Sequence, residues 1–369
     1  MRSSWATGRL PMIDARIYRT GLAVAALVVV VVAFSLHDQQ PALGTTLAPE
    51  AFNGQNAFAS MKLMASTYPQ RRPGSPGDNA LAAAVAKRFR SDRTFAVSTD
   101  RFSARTADGT RTLQTVRAVR TGLYGGSIVI VAHRDSLGSP ATADLSGTAT
   151  LLELGRVLSG ETLHRTIVLV STSGSVGTAG AAQLARSLAG SVDAVVVLGD
   201  LAGTQMRDPI LVPWSNGQQV APPMLRNTVA AALGAQTGLR PGGTGFAGQL
   251  AHLAFPLTVS EQGPFGASGE PAVLLSLSGA GGPPPGAAVS PNPGRIGALG
   301  RTVLQSVSAL DGGSAIPAPA AYLLFGGKVI PAWAIRLLVL ALILPVVAAT
   351  LDGLARARRS GHSLTRWLV

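Results

Sequence analysis

The chain contains no cysteine. That excludes disulfides, thiolate catalysis and cysteine-ligated zinc. Aromatic residues make up 5% and charged residues 13%, with only 18 Asp and Glu among 369 residues. No basic run is interleaved with aromatics, so no nucleic-acid partner is expected. No internal repeat is visible. The Ala-, Gly- and Arg-rich composition fits a GC-rich bacterial source, where exported domains without disulfides are ordinary.

What the chain does have is apolar length: 47% hydrophobic residues and a mean hydropathy of +0.31. Two segments account for much of it. One covers residues 21–36, preceded by Arg2, Arg9, Arg16 and Arg19; the other covers 330–351, followed by Arg356, Arg358, Arg359 and Arg366. A helix needs roughly 20 apolar residues to cross a bilayer. The second segment has that length, and the first gains it with Ile17 and Tyr18. No small-x-small cleavage site follows the first, so it reads as an uncleaved anchor rather than a signal peptide. The flanking arginines predict both termini in the cytoplasm and an extracytoplasmic region between two transmembrane helices, in a plasma-membrane protein. Arg336 lies close enough to the edge of the second segment to snorkel to the interface. Nine of the 31 Lys and Arg and two of the 18 Asp and Glu lie in the tails and second span, leaving +7 there and +6 between. The tail charge suits anionic lipid.

The expected order is a basic leader (1–20), a span (21–36), a polar linker (37–50), a domain (51–312), a second linker (313–329), a second span (330–351) and a basic tail (352–369). Within the domain, residues 51–67 and 79–91 read as helices, the latter N-capped by Asp78. Residues 95–102 and 113–119 read as a hairpin. Three β-branched runs follow, at 127–132, 166–170 and 194–199, each ending in polar residues: His133-Arg134-Asp135, Ser171-Thr172-Ser173-Gly174-Ser175 and Asp200. They read as strands buried on both faces. Helical segments at 148–158 and 178–188 separate them, which predicts an α/β fold with a mixed, mostly parallel sheet and helices on both faces. Chemistry in such folds sits beyond the carboxyl ends of the strands. Further helices are expected at 222–236 and 296–310, a strand at 271–277, and loops over 206–220, 238–248, 260–265 and 279–293.

This order of pieces resembles the M28 family of zinc aminopeptidases. The likeness runs from Arg71-Arg-Pro-Gly-Ser-Pro-Gly-Asp, through strand-His133-x-Asp135, the Ser146-Gly147 helix start and Gly199-Asp-Leu-Ala-Gly203, to Ser260-Glu-Gln-Gly-Pro-Phe265 and the following strand. The resemblance implies a site for two zinc ions, made of two His, a bridging Asp, a further Asp and a Glu, with a second Glu as general base. Zinc takes imidazole and carboxylate and lowers the pKa of its water; the base accepts the proton.

Carried over position by position, the set is incomplete. His133 matches the first ligand His, Asp135 the carboxylate that orients it, and Asp200 a ligand Asp. The bridging position falls on Ala143 without a gap, or on Asp144 with a one-residue deletion. Gly174 stands where the general base is expected and Ser175 where a ligand Glu is expected. Gln262 replaces the second ligand His. Glu261 replaces an Asp and can still pair across the cleft. The expectation is a catalytically inactive domain with no cofactor, whose cleft binds a peptide, an envelope component or a membrane protein partner. A zinc-free domain of this kind occurs in a membrane subunit of the eukaryotic GPI transamidase, which supports the binding class alone. The alternative is an active hydrolase with a one-metal site at His133, Asp144 and Asp200.

Plainer readings stand beside these. Asp135 would partner His133 at the strand end, Asp200 would cap a turn, and Asp144 would cap the helix that follows. His252, between Leu250 and Phe255, reads as a core or rim histidine, and Glu153 as a solvated or paired helix charge. Gly174-Ser-Val-Gly177-Thr-Ala-Gly180 follows a strand and precedes a helix, as a phosphate cradle does, without matching G-x-G-x-x-G. Ser175 lacks the first Gly of a nucleophile elbow.

Overall fold

The computed structural model describes residues 15–45, 49–138, 142–207, 210–282 and 290–359, without the side chains of 15, 17, 18, 356, 357 and 359. In order, these form α1 (Ala15–Phe34), β1 (His37–Asp38), α2 (Gly54–Thr67), α3 (Pro76–Ser91), β2 (Ala96–Thr106), β3 (Gly109–Arg120) and β4 (Ser127–His133). Next come α4 (Ser146–Leu158), β5 (Thr166–Thr172), α5 (Ala179–Ser187), β6 (Val192–Leu198), β7 (Leu211–Val212), α6 (Pro223–Thr237) and α7 (Phe246–Ala254). The series closes with α8 (Gln262–Ala267), β8 (Ala272–Leu275), α9 (Pro293–Gly312), β9 (Tyr322–Phe325), β10 (Lys328–Pro331) and α10 (Ala332–Arg359). The chain divides into two compact units, Gln39–Ala321 and a second made of Met1–Asp38 with Tyr322–Val369.

The larger unit is built on a seven-stranded mixed sheet, β2-β3-β5-β4-β6-β8-β7. β5, β4, β6 and β8 are mutually parallel, while β2, β3 and β7 pair antiparallel at the edges. The parallel part forms the centre of a mixed sheet. Alternating residues of β4 feed two cores. Ile128 and Ile130 pack with α2, α3, α4, α6 and α9; Val129 and Val131 pack with α5 and α8. Full burial of both faces is why these strands read as unbroken apolar runs. From β4 the chain crosses to β5 on one side, and from β6 to β8 on the other. The sheet therefore reverses direction between β4 and β6, where α/β folds hold their ligands.

Local chemistry corrects several expectations. Ser75, not Asp78, caps α3: its Oγ accepts from the Asp78 amide at 3.2 Å. Pro76 fits the first helical position because its missing N–H would be unpaired there. Asp144 does not cap α4; it lies in a short 3-10 turn, Ala143–Leu145, with Leu145 at the cap position. Ser146 instead bonds outward, accepting from the Leu201 amide at 2.8 Å. A Cβ on Gly147 would come within 2.7 Å of the Leu198 carbonyl, so glycine lets α4 start against the end of β6. The hairpin is longer than expected, paired from Ala96↔Val119 to Thr106↔Gly109. The first linker is partly docked: the Leu43 amide donates to Thr228 Oγ1 at 2.9 Å. α7, α8 and β7 replace expected loops, and residues 283–289 of the expected Gly/Pro loop lie outside the described residues.

In the smaller unit, β1, β10 and β9 form an antiparallel sheet, so the expected second linker contains a hairpin turning at Gly326-Gly327. Both glycines have positive φ, which a two-residue hairpin turn requires. Ala332–Ala355 is 24 residues long with hydropathy 2.5, long and apolar enough to cross a membrane. The expectation of two such spans is corrected. The apolar part of α1 is only Arg19–Phe34, and at 1.5 Å per residue it falls short of a hydrocarbon core of about 30 Å. α1 packs against α10 where Gly21 meets Pro345.

Candidate functional site

The strand ends around the β4/β6 switch point carry the polar cluster. In the parallel ladder His133 is registered with Thr172, so their side chains lie side by side on one face. Glu261, at the start of α8 on that face, binds both. Its Oε2 lies 2.8 Å from His133 Nδ1, and its Oε1 accepts from Thr172 Oγ1 at 3.0 Å. The pairing expected of Glu261 across the cleft is present. The partner expected for His133 was Asp135, and that is corrected: Asp135 accepts from the Ser175 amide at 3.0 Å and from Ser175 Oγ at 2.9 Å. The β5–α5 turn brings Ser175 there because Gly174 takes φ +83, a conformation L side chains rarely adopt.

A second layer lies on the other face of the sheet. Arg134 and Asp78 are fully buried, with Nε 2.8 Å from Oδ1. Arg134 also donates to the carbonyls of Ser171 and Gln114 at 3.0 and 2.8 Å. Asp78 Oδ2 accepts from Ser173 Oγ at 2.6 Å and from the Gly74 amide at 2.9 Å. Arg71, also buried, donates to the carbonyls of Tyr68 and Arg134 at 2.8 and 3.2 Å. Sequence reasoning missed this pair of buried guanidiniums. Local sequence carries no signal that separates them: Arg72, beside Arg71 in the same turn, is half exposed and pairs with Asp108.

Asp200 behaves as a turn residue. Its Oδ1 accepts from the amides of Ala202 and Gly203 at 3.0 and 2.7 Å, and its Oδ2 from Ser278 Oγ at 2.6 Å. Asp144 is half-buried and shares the electrostatic neighbourhood of His133, Arg71 and Asp200, whereas Ala143 is buried beside it. Gln262 is fully buried; its Nε2 donates to the Trp214 carbonyl at 2.9 Å, and its Oε1 has no hydrogen-bond partner among the described residues. Trp214 in turn stacks on His252, with ring centroids 4.6 Å apart. His252 is thus a rim histidine. Glu153 is paired rather than solvated: it is buried and accepts from Arg156 Nε at 2.9 Å and the Asn53 amide at 3.1 Å.

The electrostatics follow from this packing. Burial disfavours the His133 imidazolium, but Glu261, helped by Asp135 and Asp144, outweighs it and raises the pKa to about 9. Burial raises Asp135 to about 6 against the opposing pull of His133. Burial also lifts Asp144 above the usual carboxylate range, opposed by His133, a hydrogen bond from Ser136, and Arg71. Burial lowers His252.

No protein-family model and no curated relative matches the chain by sequence. The likeness is one of structure. A leucine aminopeptidase precursor from Bacteroides thetaiotaomicron superposes with a TM-score of 0.57 at 12% identity, covering 74% of this chain and 100% of that one. A zinc aminopeptidase from Bacillus subtilis gives 0.55 at 11%, covering 69% and 94%. A glutaminyl cyclase from Porphyromonas gingivalis gives 0.52 at 17%, covering 70% and 98%. The fold is therefore that shared by M28-type zinc aminopeptidases and glutaminyl cyclases.

Zinc requires several imidazole and carboxylate donors with free lone pairs converging on one point. Here the Nδ1 contact with Glu261 leaves His133 Nε2 open as a ligand, but Gly174 and Ser175 bring no carboxylate, Gln262 Nε2 is bound to a carbonyl, and both Asp200 oxygens accept internal bonds. Among the described residues no three His, Asp or Glu form a group that could hold a metal ion. The donor set does not fit a di-zinc site. Nor does Ser175 fit a nucleophile, since its hydroxyl donates to Asp135 rather than to His133 or His252.

Proposed function

We propose that the chain is a membrane-anchored binding or scaffolding module on an aminopeptidase-like fold, with no hydrolytic activity of its own. The observation that supports this most is the loss of donors at Gly174, Ser175 and Gln262, with the polar groups that remain held by internal bonds. Glu261 clasps His133 and Thr172, Asp135 clasps Ser175, and Asp200 clasps its own turn and Ser278. The charge a metal would supply comes from Arg71, Arg134 and the His133 imidazolium. The cleft is then free to take a peptide, an envelope component or a membrane partner. In this reading α10 holds the protein in the plasma membrane with α1 packed beside it, the basic tail after α10 is cytoplasmic and the larger unit is extracytoplasmic.

The test is turnover. Full-length protein assayed against N-terminal amino-acid amides and N-terminal glutaminyl peptides, with and without added zinc, should match a His133→Ala control. Zinc-dependent turnover lost in His133→Ala would overturn the proposal. It would favour the second reading, a one-metal hydrolase at His133, Asp144 and Asp200. Nucleotide or anion binding at Gly174–Gly180 is less favoured. The Ser175 amide that would cradle a phosphate already serves Asp135, and the Ala179 amide serves the Gly174 carbonyl at 2.9 Å.

A further inference from the structure

From Pro241 to Ser260 the chain contains no Asp, Glu, Lys or Arg. Its one titratable side chain, His252, is shifted toward the neutral form by burial. This uncharged stretch nevertheless faces solvent. Phe246 and Leu250, four residues apart on α7, are each 40% exposed, and Phe255, Leu257 and Val259 beyond it are 79%, 71% and 65% exposed. Exposed apolar side chains scattered singly need no explanation, but a contiguous run of them marks an interaction surface.

The frame behind this run is anchored. The Phe255 amide closes α7 on the Ala251 carbonyl at 2.8 Å, and the Leu257 amide turns onto the Phe255 carbonyl at 2.8 Å. The Thr258 amide donates to Asn216 Oδ1 at 2.9 Å, and Trp214 braces His252 by stacking. The apolar side chains are displayed on held backbone.

We propose that this face, Phe246 to Val259, lies in the interfacial layer of a lipid bilayer. The proposal rests on the reading of α10 as a membrane span. The larger unit ends at Ala321 and the chain enters α10 at Ala332 through the β9–β10 hairpin. That tether keeps the bilayer at high effective concentration for any surface able to use it. Aromatic and aliphatic side chains with no formal charge among them partition to the headgroup–acyl boundary. A protein-binding face would carry a charged or polar rim; here the flanking charge on the amino-terminal side is the exposed Arg240, which suits anionic headgroups.

The absence of native cysteine makes the test direct. Single labels are placed by Phe255→Cys, Leu340→Cys on α10, and Ala83→Cys on the solvent side of α3, in the full-length chain in nanodiscs containing anionic lipid. Emission is then quenched by spin-labelled lipid and, separately, by aqueous iodide. The proposal expects the Phe255 label to be quenched by lipid several-fold more than the Ala83 label and to be shielded from iodide. A Leu340 label untouched by lipid would show that the span reading has failed and would take the proposal with it. A lipid-quenched Leu340 label beside an iodide-quenched Phe255 label would overturn the interfacial face alone. Protection of the Phe255 label from both quenchers would assign the face to a protein partner or a second copy, and would equally overturn it.

Discussion

Replacing Glu261 with glutamine keeps the shape of the clasp and removes its charge. In the native protein the imidazolium of His133 is 19% exposed and Glu261 6%, so solvent screens their attraction only in part. Lifting the His133 pKa from 6.5 to about 9 corresponds to about 3 kcal/mol of preference for the charged ring, at 1.36 kcal/mol per unit. Because Asp135 and Asp144 supply part of that lift, Glu261→Gln should remove about 2 kcal/mol at pH 6. The sign follows from linkage. A histidine with a raised folded pKa contributes its full stabilisation below about 6.5, and loses it as pH rises through about 9. The cost of Glu261→Gln should therefore be largest near pH 6 and shrink toward zero by pH 10. In thermal unfolding of full-length protein in detergent, about 2 kcal/mol corresponds to a Tm drop of roughly 3–4 °C at pH 6 for a unit of this size. A pH-independent drop, or none at pH 6, would refute the assignment of an ionic clasp.

Other expectations follow from single contacts. Gly174→Ala places a Cβ 2.8 Å from Leu113 Cδ1 at φ +83; it should cost about 1–3 kcal/mol and lower the denaturant midpoint. Arg134→Met leaves buried Asp78 without its cation, a loss of about 3–5 kcal/mol that should leave little folded protein on purification. Gly21→Leu pushes bulk into Pro345, whose Cβ is 3.1 Å from a Cβ placed at Gly21, and should loosen α1 from α10, seen as faster amide exchange in α1.

The sheet centre was legible because burial on both faces leaves unbroken β-branched runs, and because each run stops at polar residues. That pattern alone sets His133, Asp135 and Asp200 at the strand ends. What sequence could not supply was partner choice. His133 and Glu261 are 128 residues apart and meet only through the β4–β5 register and the start of α8. The α3 cap was misplaced because Ser75 and Asp78 both suit an N-terminus, and Pro76-Gly77 reads as loop until proline is allowed at the first helical position. The β9–β10 hairpin turns at Gly326-Gly327 between Leu324-Phe325 and Lys328-Val329, a signal masked by its position next to a Pro/Ala-rich stretch. α7 was hidden by the glycines that precede it.

The most direct measurement is the metal content of the purified full-length chain, with unfolding followed during zinc titration. The account predicts well under one equivalent of bound zinc and no rise in Tm as zinc is added, because Gly174, Ser175 and Gln262 leave too few donors beside His133. One tightly held equivalent, abolished by His133→Ala, with a zinc-dependent rise in Tm, would contradict it.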